Sequence, residues 1–367
     1  MARTTILPTD PAAVKIFSGF VEVDAKKKSF WDKMTGGEES ALPVVQKTDL
    51  EAGPGDEVTT TMIAKLRGQP IQGNEKGEGR EDRLSHYTHK MRIDKNRKLV
   101  NCGDIMAQKR VRHDIVKQVR ARLSDYFAEI YDEQCHMTAC GARGVSDEIL
   151  HYPLGFAGFP NALRAPDAAH LMVAINKAKA TLLVTDTLNL QMVDRAKIRA
   201  KKMFGIELKG NRMEPINVDG EKSYVLLGSP ESMADLRAQT GEASWISFEK
   251  AKAAAVGSKS PIFTAADSMY QGVLMMEHET CVKFDDYGAG ANIKAVRNLF
   301  LGAHAVAVAH GTKGQKGGVR FQLEDSTLDH GEEDVIVTRM IAGFDKTVYN
   351  GMDFGVQTLD TAYTEVL

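Results

Sequence analysis

Between residues 57 and 135 the chain carries two strand-like runs around a glycine-rich charged tip, and the second run leads at once into a long amphipathic helix. In the first run Val58, Thr60, Met62, Ala64 and Leu66 fall on one face and Thr59, Thr61, Lys65 and Arg67 on the other. That is the period-two pattern of a ribbon with one covered side. The return run alternates in the same way, with Tyr87, His89, Met91 and Ile93 against Thr88, Lys90, Arg92 and Asp94. Between them lies Gly73-Asn74-Glu75-Lys76-Gly77-Glu78-Gly79-Arg80-Glu81-Asp82, whose three glycines and six charges cannot build a core. A two-stranded ribbon has little stability alone in water, and about a dozen residues per arm at ~3.4 Å each would reach roughly 40 Å. Something outside must hold it. The helix opens at Asp104, a good N-cap, and carries Val111, Ile115/Val116, Val119, Leu123, Phe127 and Ile130 at spacings of three and four. At 1.5 Å per residue, about thirty residues span ~45 Å. A long ribbon joined to a long helix makes a poor pocket and a good strut, so the stretch reads as architecture for assembly.

A chain of 367 residues can bury large cores and is expected to form two closely associated lobes. Its formal net charge of −2 gives no overall pull toward nucleic acid or membrane. The distribution is uneven: Arg83 to Arg122 holds twelve Lys/Arg against Asp94, Asp104 and Asp114, a local +9 that leaves −11 to the rest. Acid gathers late, at Glu324, Asp325, Asp329, Glu332, Glu333 and Asp334. Cys102, Cys135, Cys140 and Cys281 are too few for a disulfide framework, and reduced thiols in a cytoplasmic setting fit them better. The first residues lack the apolar region of a signal peptide, and the apolar run Ala303 to Ala309 is far too short to cross a bilayer.

Residues 1–56 read as an extended arm with patches of structure, such as a helical hint at Ala12 to Phe20, suited to lie on a neighbour. Gly141-Ala142-Arg143-Gly144 ends the long helix, and Tyr152 to Pro160 is loop. Helical signals return at Ala168–Ala180 and at Thr187–Met203. Tyr224 to Gly228 reads as a buried strand, followed by a helix with Ser229 as N-cap, Pro230 at its first position and Gly241 as its stop. Ser247–Val256 is expected to be a further helix. Ile262-Phe263, Gly272 to Met276 and Val282 to Phe284 are expected strands, as are Val319–Leu323 and Val335–Val337 beyond a glycine-lysine loop.

The chemical motifs are weak. His86 and His89 sit three apart on a strand, hence on opposite faces, which argues against a metal pair. Cys135, His136 and Cys140 lack the second Cys/His pair of a zinc finger. Gly311 to Gly318 lacks the Lys-Ser/Thr of a phosphate loop, and the acidic run 324–334 lacks the calcium-loop pattern. Lys76 and Asn74 are one pair in a polar loop, no basis for a covalent cross-link. Hydrolase, zincin and dinucleotide motifs are missing. No catalytic, cofactor-binding or metal-binding residue is therefore expected.

The order of parts resembles the major capsid proteins of tailed phages with the Hong Kong 97 fold, and more narrowly the coat proteins of N4-type podoviruses. The resemblance is carried by Gly55-Asp56-Glu57-Val58, the tip Gly73-Asn74-Glu75, Ile93-Asp94 with Arg97, and Gln108. It continues in Leu301-Gly302-Ala303-His304-Ala305, Gly343-Phe344-Asp345-Lys346, Asp353-Phe354-Gly355-Val356 and Asp360-Thr361-Ala362. It implies an α+β fold with an N-terminal arm (1–54) and an extended β-ribbon loop (55–101). A peripheral domain follows at 102–284, with a spine helix at 104–137 and part of the axial domain. Residues 285–367 would supply the axial domain and closing strands of the peripheral domain. It further implies a non-enzymatic protein whose copies form hexamers and pentamers of an icosahedral head shell in the virion, assembled in the host bacterial cytoplasm. The shell would enclose double-stranded DNA without sequence specificity, with portal, scaffolding or decoration proteins as further partners and no membrane.

Two sets of contact residues follow. Asn74, Glu75, Lys76, Glu78, Arg80, Glu81 and Asp82 at the ribbon tip are expected to touch a neighbouring subunit. Lys109, Arg112, Lys117 and Arg120 are expected to meet DNA phosphates or an acidic partner, since a local +9 costs repulsive energy unless anions meet it. The alternatives are a nucleic-acid-binding protein using the basic helix 109–122, whose charges spread around the helix rather than forming one stripe, and a cytosolic enzyme with a scattered site.

Overall fold

The computed structural model describes residues 29–50, 54–64, 66, 69–110, 115–145, 151–202, 213–218, 220–239, 268–311 and 321–365. The ribbon is there. Its strands Glu57–Ile63 and His86–Arg92 run antiparallel and pair Val58 with Met91, Thr60 with His89 and Met62 with Tyr87. The covered faces therefore meet as the alternation requires. The paired part is shorter than expected, seven residues per strand, or about 24 Å at ~3.4 Å each. Beyond the bond from Ala64 N–H to Ser85 C=O at 2.9 Å, the glycine-rich charged loop offers no apolar face to continue it. Leu66, expected on the covered side, is accordingly exposed.

After Ile93 the return strand passes directly into Asp94–Asp104, an eleven-residue strand paired antiparallel with the long strand Glu333–Lys346. Its run of Lys95, Asn96, Arg97 and Lys98 hides the apolar alternation that marks a strand, and Cys102 is its one fully buried side chain. Asp104 stands just before the helix, which runs as Ile105–Arg110 and Ile115–Cys140; residues 111–114 lie outside the described ones. Leu123, Phe127 and Ile130 are buried, and from Glu133 to Cys140 every residue is, so this end runs through the interior three residues past the expected stop at 137. Gly141 then ends it at φ +66°, where a Cβ would lie 1.9 Å from the Arg164 carbonyl oxygen. Only glycine fits there.

Two sheets flank this helix. One joins Thr35–Gly36, Val44–Lys47, Val306–His310, Glu333–Lys346 and Phe321–Leu328, with Asp94–Asp104 on the long strand. The other orders Leu171–Val173, Val356–Ala362, Ile293–Leu301, Glu221–Gly228, Val273–Glu277 and Ser268–Tyr270, with Lys283–Tyr287 and Ile216–Val218 paired alongside. The main core takes Phe127 and Tyr131 from the helix, Val308 and Met340 from the first sheet, and Val225 and Leu299 from the second. Helices Leu190–Lys202 and Pro230–Ala238 close a second core through Met192, Val193, Met233 and Leu236.

Ser229 caps its helix by accepting from Ser232 N–H at 3.2 Å, with Pro230 first; the helix ends at Ala238, and Gly241 lies outside the described residues. The helix expected at Ala168–Ala180 is not formed: the left-handed Ala174 (φ 40°) and Asn176 (φ 59°) break it, and Leu171–Val173 joins the second sheet instead. The arm reading also needs correcting for residues 29–50. Trp31 and Met34 are buried in the subunit's own core, and Val44–Lys47 pairs parallel with Val306–His310. Asp132 on the long helix holds that segment, accepting from Ser29 Oγ at 2.6 Å and Phe30 N–H at 2.8 Å. Ala12–Phe20, Ser247–Val256, Ile262-Phe263 and the glycine-lysine loop from 312 lie outside the described residues.

Candidate assembly interface

The ribbon divides into a held root and a free tip. At the root Val58 and Met91 bury their side chains against Ala307, Ala309 and Leu50, with Ile93 packed alongside. His89, on the same face, is fully enclosed and lies 3.4 Å from Asp345 Oδ2, which also receives Arg164 at 3.3 Å. Burial first, and then the Arg164 charge, hold the His89 ring down to about 4, so it is neutral at pH 7 and its contact with Asp345 is no ion pair. Burial pushes Asp345 up to about 6, against the pull of Arg164. Beside it Lys346 and Asp353 form a buried pair at 2.8 Å. His86 is exposed on the opposite face, as its spacing from His89 requires.

Every residue from 69 to 84 is exposed. Asn74, Glu75, Lys76, Glu78, Arg80, Glu81 and Asp82 all lie in this stretch, with Arg80 paired to Glu75 and Gly79 N–H donating to Glu81 Oε2 at 3.0 Å. Around them Ile63, Leu66, Ile71 and Leu84 are 58%, 64%, 42% and 50% exposed. These four aliphatic side chains stand uncovered along the ribbon. The charges of the tip stand out in the sequence; Ile63, Ile71 and Leu84 do not, because singly they look ordinary, and Leu66 is expected on the covered face.

The basic helix meets part of the late acidic segment within the same chain. Arg120 Nη2 bonds Asp325 Oδ2 at 2.8 Å, and Gln108 donates to Asp334 at 2.9 Å. Lys109 and Lys117 have exposed side chains, and Arg112 lies outside the described residues. Cys102, Cys135, Cys140 and Cys281 are buried and form no disulfide with one another, and burial pushes Cys140 up to about 12. Asp167, His170 and Asp353 do gather, but they satisfy one another and their neighbours: Asp167 accepts from His170 at 2.8 Å and Asp353 from Lys346 at 2.8 Å.

The phage capsid protein family matches residues 5–365 of the chain. No curated protein matches it significantly. Among solved structures, the capsid of Ralstonia phage GP4 is similar over 99% of both chains, at 37% identity and a TM-score of 0.85. The cyanophage Pam1 capsid is similar over 93% of both chains, at 18% identity and a TM-score of 0.73. The head of Helicobacter pylori bacteriophage KHP40 is similar over 92% of this chain and 91% of that one, at 14% identity and a TM-score of 0.65. The last two speak for the fold alone.

Proposed function

The chain belongs to the phage capsid protein family, and on that footing we propose that its ribbon tip is the contact through which copies join. It is a major capsid protein of a tailed phage, a structural protein with the Hong Kong 97-like fold that forms the head shell from many copies. That membership displaces the enzyme and nucleic-acid-reader alternatives. In the proposal Asn74, Glu75, Lys76, Glu78, Arg80, Glu81 and Asp82, with Ile63, Leu66, Ile71 and Leu84, lie across an adjacent subunit. The observation that carries it is the pairing of a rigid root with a tip exposed throughout residues 69–84. Removing residues 73–82 takes away no core side chain. The subunit should therefore fold and fail to close shells, read by sedimentation and negative-stain microscopy; normal shells would refute the contact.

The finer assignments belong to the same proposal. Copies group as hexamers and pentamers, assembled in the host cytoplasm, with kinship nearest N4-type podoviruses. Residues 1–54 are the arm, tied into the subunit's own core through 29–50, 55–101 the extended loop, and 102–284 the peripheral domain with its spine helix, which reaches Cys140, and part of the axial domain. Residues 285–367 would be the axial domain with closing peripheral strands; in support, Ile293–Leu301 lies in one sheet and Val306–His310 in the other. Lys109, Arg112 and Lys117 face packaged double-stranded DNA and touch phosphates only, supported by the local +9 that the acidic segment meets in part. Portal, scaffolding and decoration proteins are the remaining partners proposed.

A further inference from the structure

The ribbon and the body share one strand with a single break. The return strand ends at Arg92, and after Ile93 the chain is already in Asp94–Asp104. A swivel at Ile93 would let the ribbon point in many directions, whereas hexamers and pentamers that close one shell admit only a narrow range of them. The backbone of Arg92 is where the swivel is blocked. Ile93 N–H donates to Asp56 C=O at 2.9 Å, so by the alternation of antiparallel pairing the N–H and C=O of Arg92 face away from the first ribbon strand. There they meet a side chain. Arg92 N–H donates to Asn161 Oδ1 at 2.8 Å, and Asn161 Nδ2 donates to Arg92 C=O at 2.8 Å. The same amide nitrogen also donates to Phe344 C=O, in the long strand, at 3.1 Å.

The carboxamide thus stands in for one residue of a third strand and ties the ribbon root to the body. The approach is close: a Cβ on Gly343 would come within 2.0 Å of the Arg92 carbonyl oxygen. Asn161 is itself well held, because Phe159 packs on the core and on Tyr152 at 5.0 Å while Arg164 pairs with Asp345 at 3.3 Å. We infer that Asn161 is a positioning residue that confines the ribbon to a narrow range of directions, so that copies meet at the closely similar angles of hexamers and pentamers and close shells of one diameter. This rests on the ribbon contact proposed above.

The test uses the full chain. Asn161→Ala should leave the subunit folded, speed exchange of the Arg92 amide roughly tenfold, and replace a single shell diameter with mixed sizes and open sheets in micrographs. Asn161→Asp keeps the shape. At neutral pH its carboxylate confronts the carbonyl oxygens of Arg92 and Phe344; once protonated it regains a donor. Its shells should be mixed when assembled at neutral pH and return to one size in acid, at a pH where the unaltered protein assembles normally. Deleting residues 73–82 is the control, since normal shells from that chain overturn the ribbon contact itself. The Asn161 inference is overturned by an unchanged Arg92 exchange rate together with single-size shells from both variants. Should Asn161→Ala fail to fold, a shell size independent of pH in Asn161→Asp overturns it.

Discussion

Arg297 and Asp360 stand directly opposite each other on neighbouring strands and exchange two parallel hydrogen bonds, Nε to Oδ1 and Nη2 to Oδ2, both at 2.7 Å. Both side chains are out of water, and each makes further hydrogen bonds. Tyr287 OH donates to Asp360 Oδ2 at 2.5 Å, and Arg297 Nη1 donates to Cys140 C=O at 3.0 Å, which joins the end of the long helix to the second sheet. Removing one partner strands a buried charge. Asp360→Asn or Arg297→Met should each cost about 3–5 kcal/mol of subunit stability, and the double variant Arg297→Met/Asp360→Leu clearly less than the sum. Denaturant titration of the unassembled subunit reads this, and additive losses would show that the pair is not coupled.

The ribbon root should respond to acid in two opposite ways. His89 is held down to about 4, so its contribution is present above the ordinary histidine range near 6.5 and is lost as pH falls through 4. Asp345 is pushed up to about 6, so its contribution is full below the ordinary carboxylate value and is lost as pH rises through 6. Arg164, Lys346, Asp353 and Tyr349 are the other ionisable groups at this root. His89→Gln removes the first effect only. Relative to the unaltered protein it should gain about 1–2 kcal/mol between pH 7 and pH 5. Parallel stability profiles for the two chains would sink this account.

Hydrogen exchange should divide the ribbon at Ala64. In the isolated subunit, amides from 69 to 85 should exchange at nearly free rates, while Val58 and Met91, paired and buried at the root, should be protected. Assembly should slow the tip and leave the root little changed. Equal protection of the tip in subunit and shell would mean that no neighbour covers it.

The basic residues of the helix should separate into two kinds. Arg120 is paired with Asp325 at a half-covered site, so Arg120→Gln should cost at most about 1 kcal/mol of subunit stability. Lys109→Gln with Lys117→Gln should leave the subunit and empty shells intact. It should lower the stability of DNA-filled shells, by an amount that shrinks as salt rises. A loss independent of salt, or equal in empty shells, would assign these lysines to a protein partner.

Much of this was legible in the sequence wherever one face of an element is wet. The ribbon, the long helix and the Ser229 cap all announce themselves through periodicity or a cap residue. Asp94–Asp104 did not, because a strand held mainly by its backbone ladder carries Lys95, Arg97 and Lys98 outward and shows no apolar alternation. The charges of Asp345, Arg297 and Asp360 read as surface until the fold buries them beside partners more than sixty residues away, such as Arg297 against Asp360. Asn161 was equally silent. Its role depends on the carbonyl and amide of Arg92, and backbone groups leave no trace in sequence.

The passage of the ribbon through Ile93 into Asp94–Asp104 has a mechanical meaning. Tension on the tip travels down the return strand and arrives as a lengthwise load on a strand paired from Asp94–Ala342 to Asp104–Glu333. Cross-strand bonds lie perpendicular to that load and share it in shear, where a hairpin peeled from its end would yield one bond at a time. A lattice of such subunits, stretched by pressure from within, would pull on the longest ladder among the described residues along the direction in which a ladder resists best.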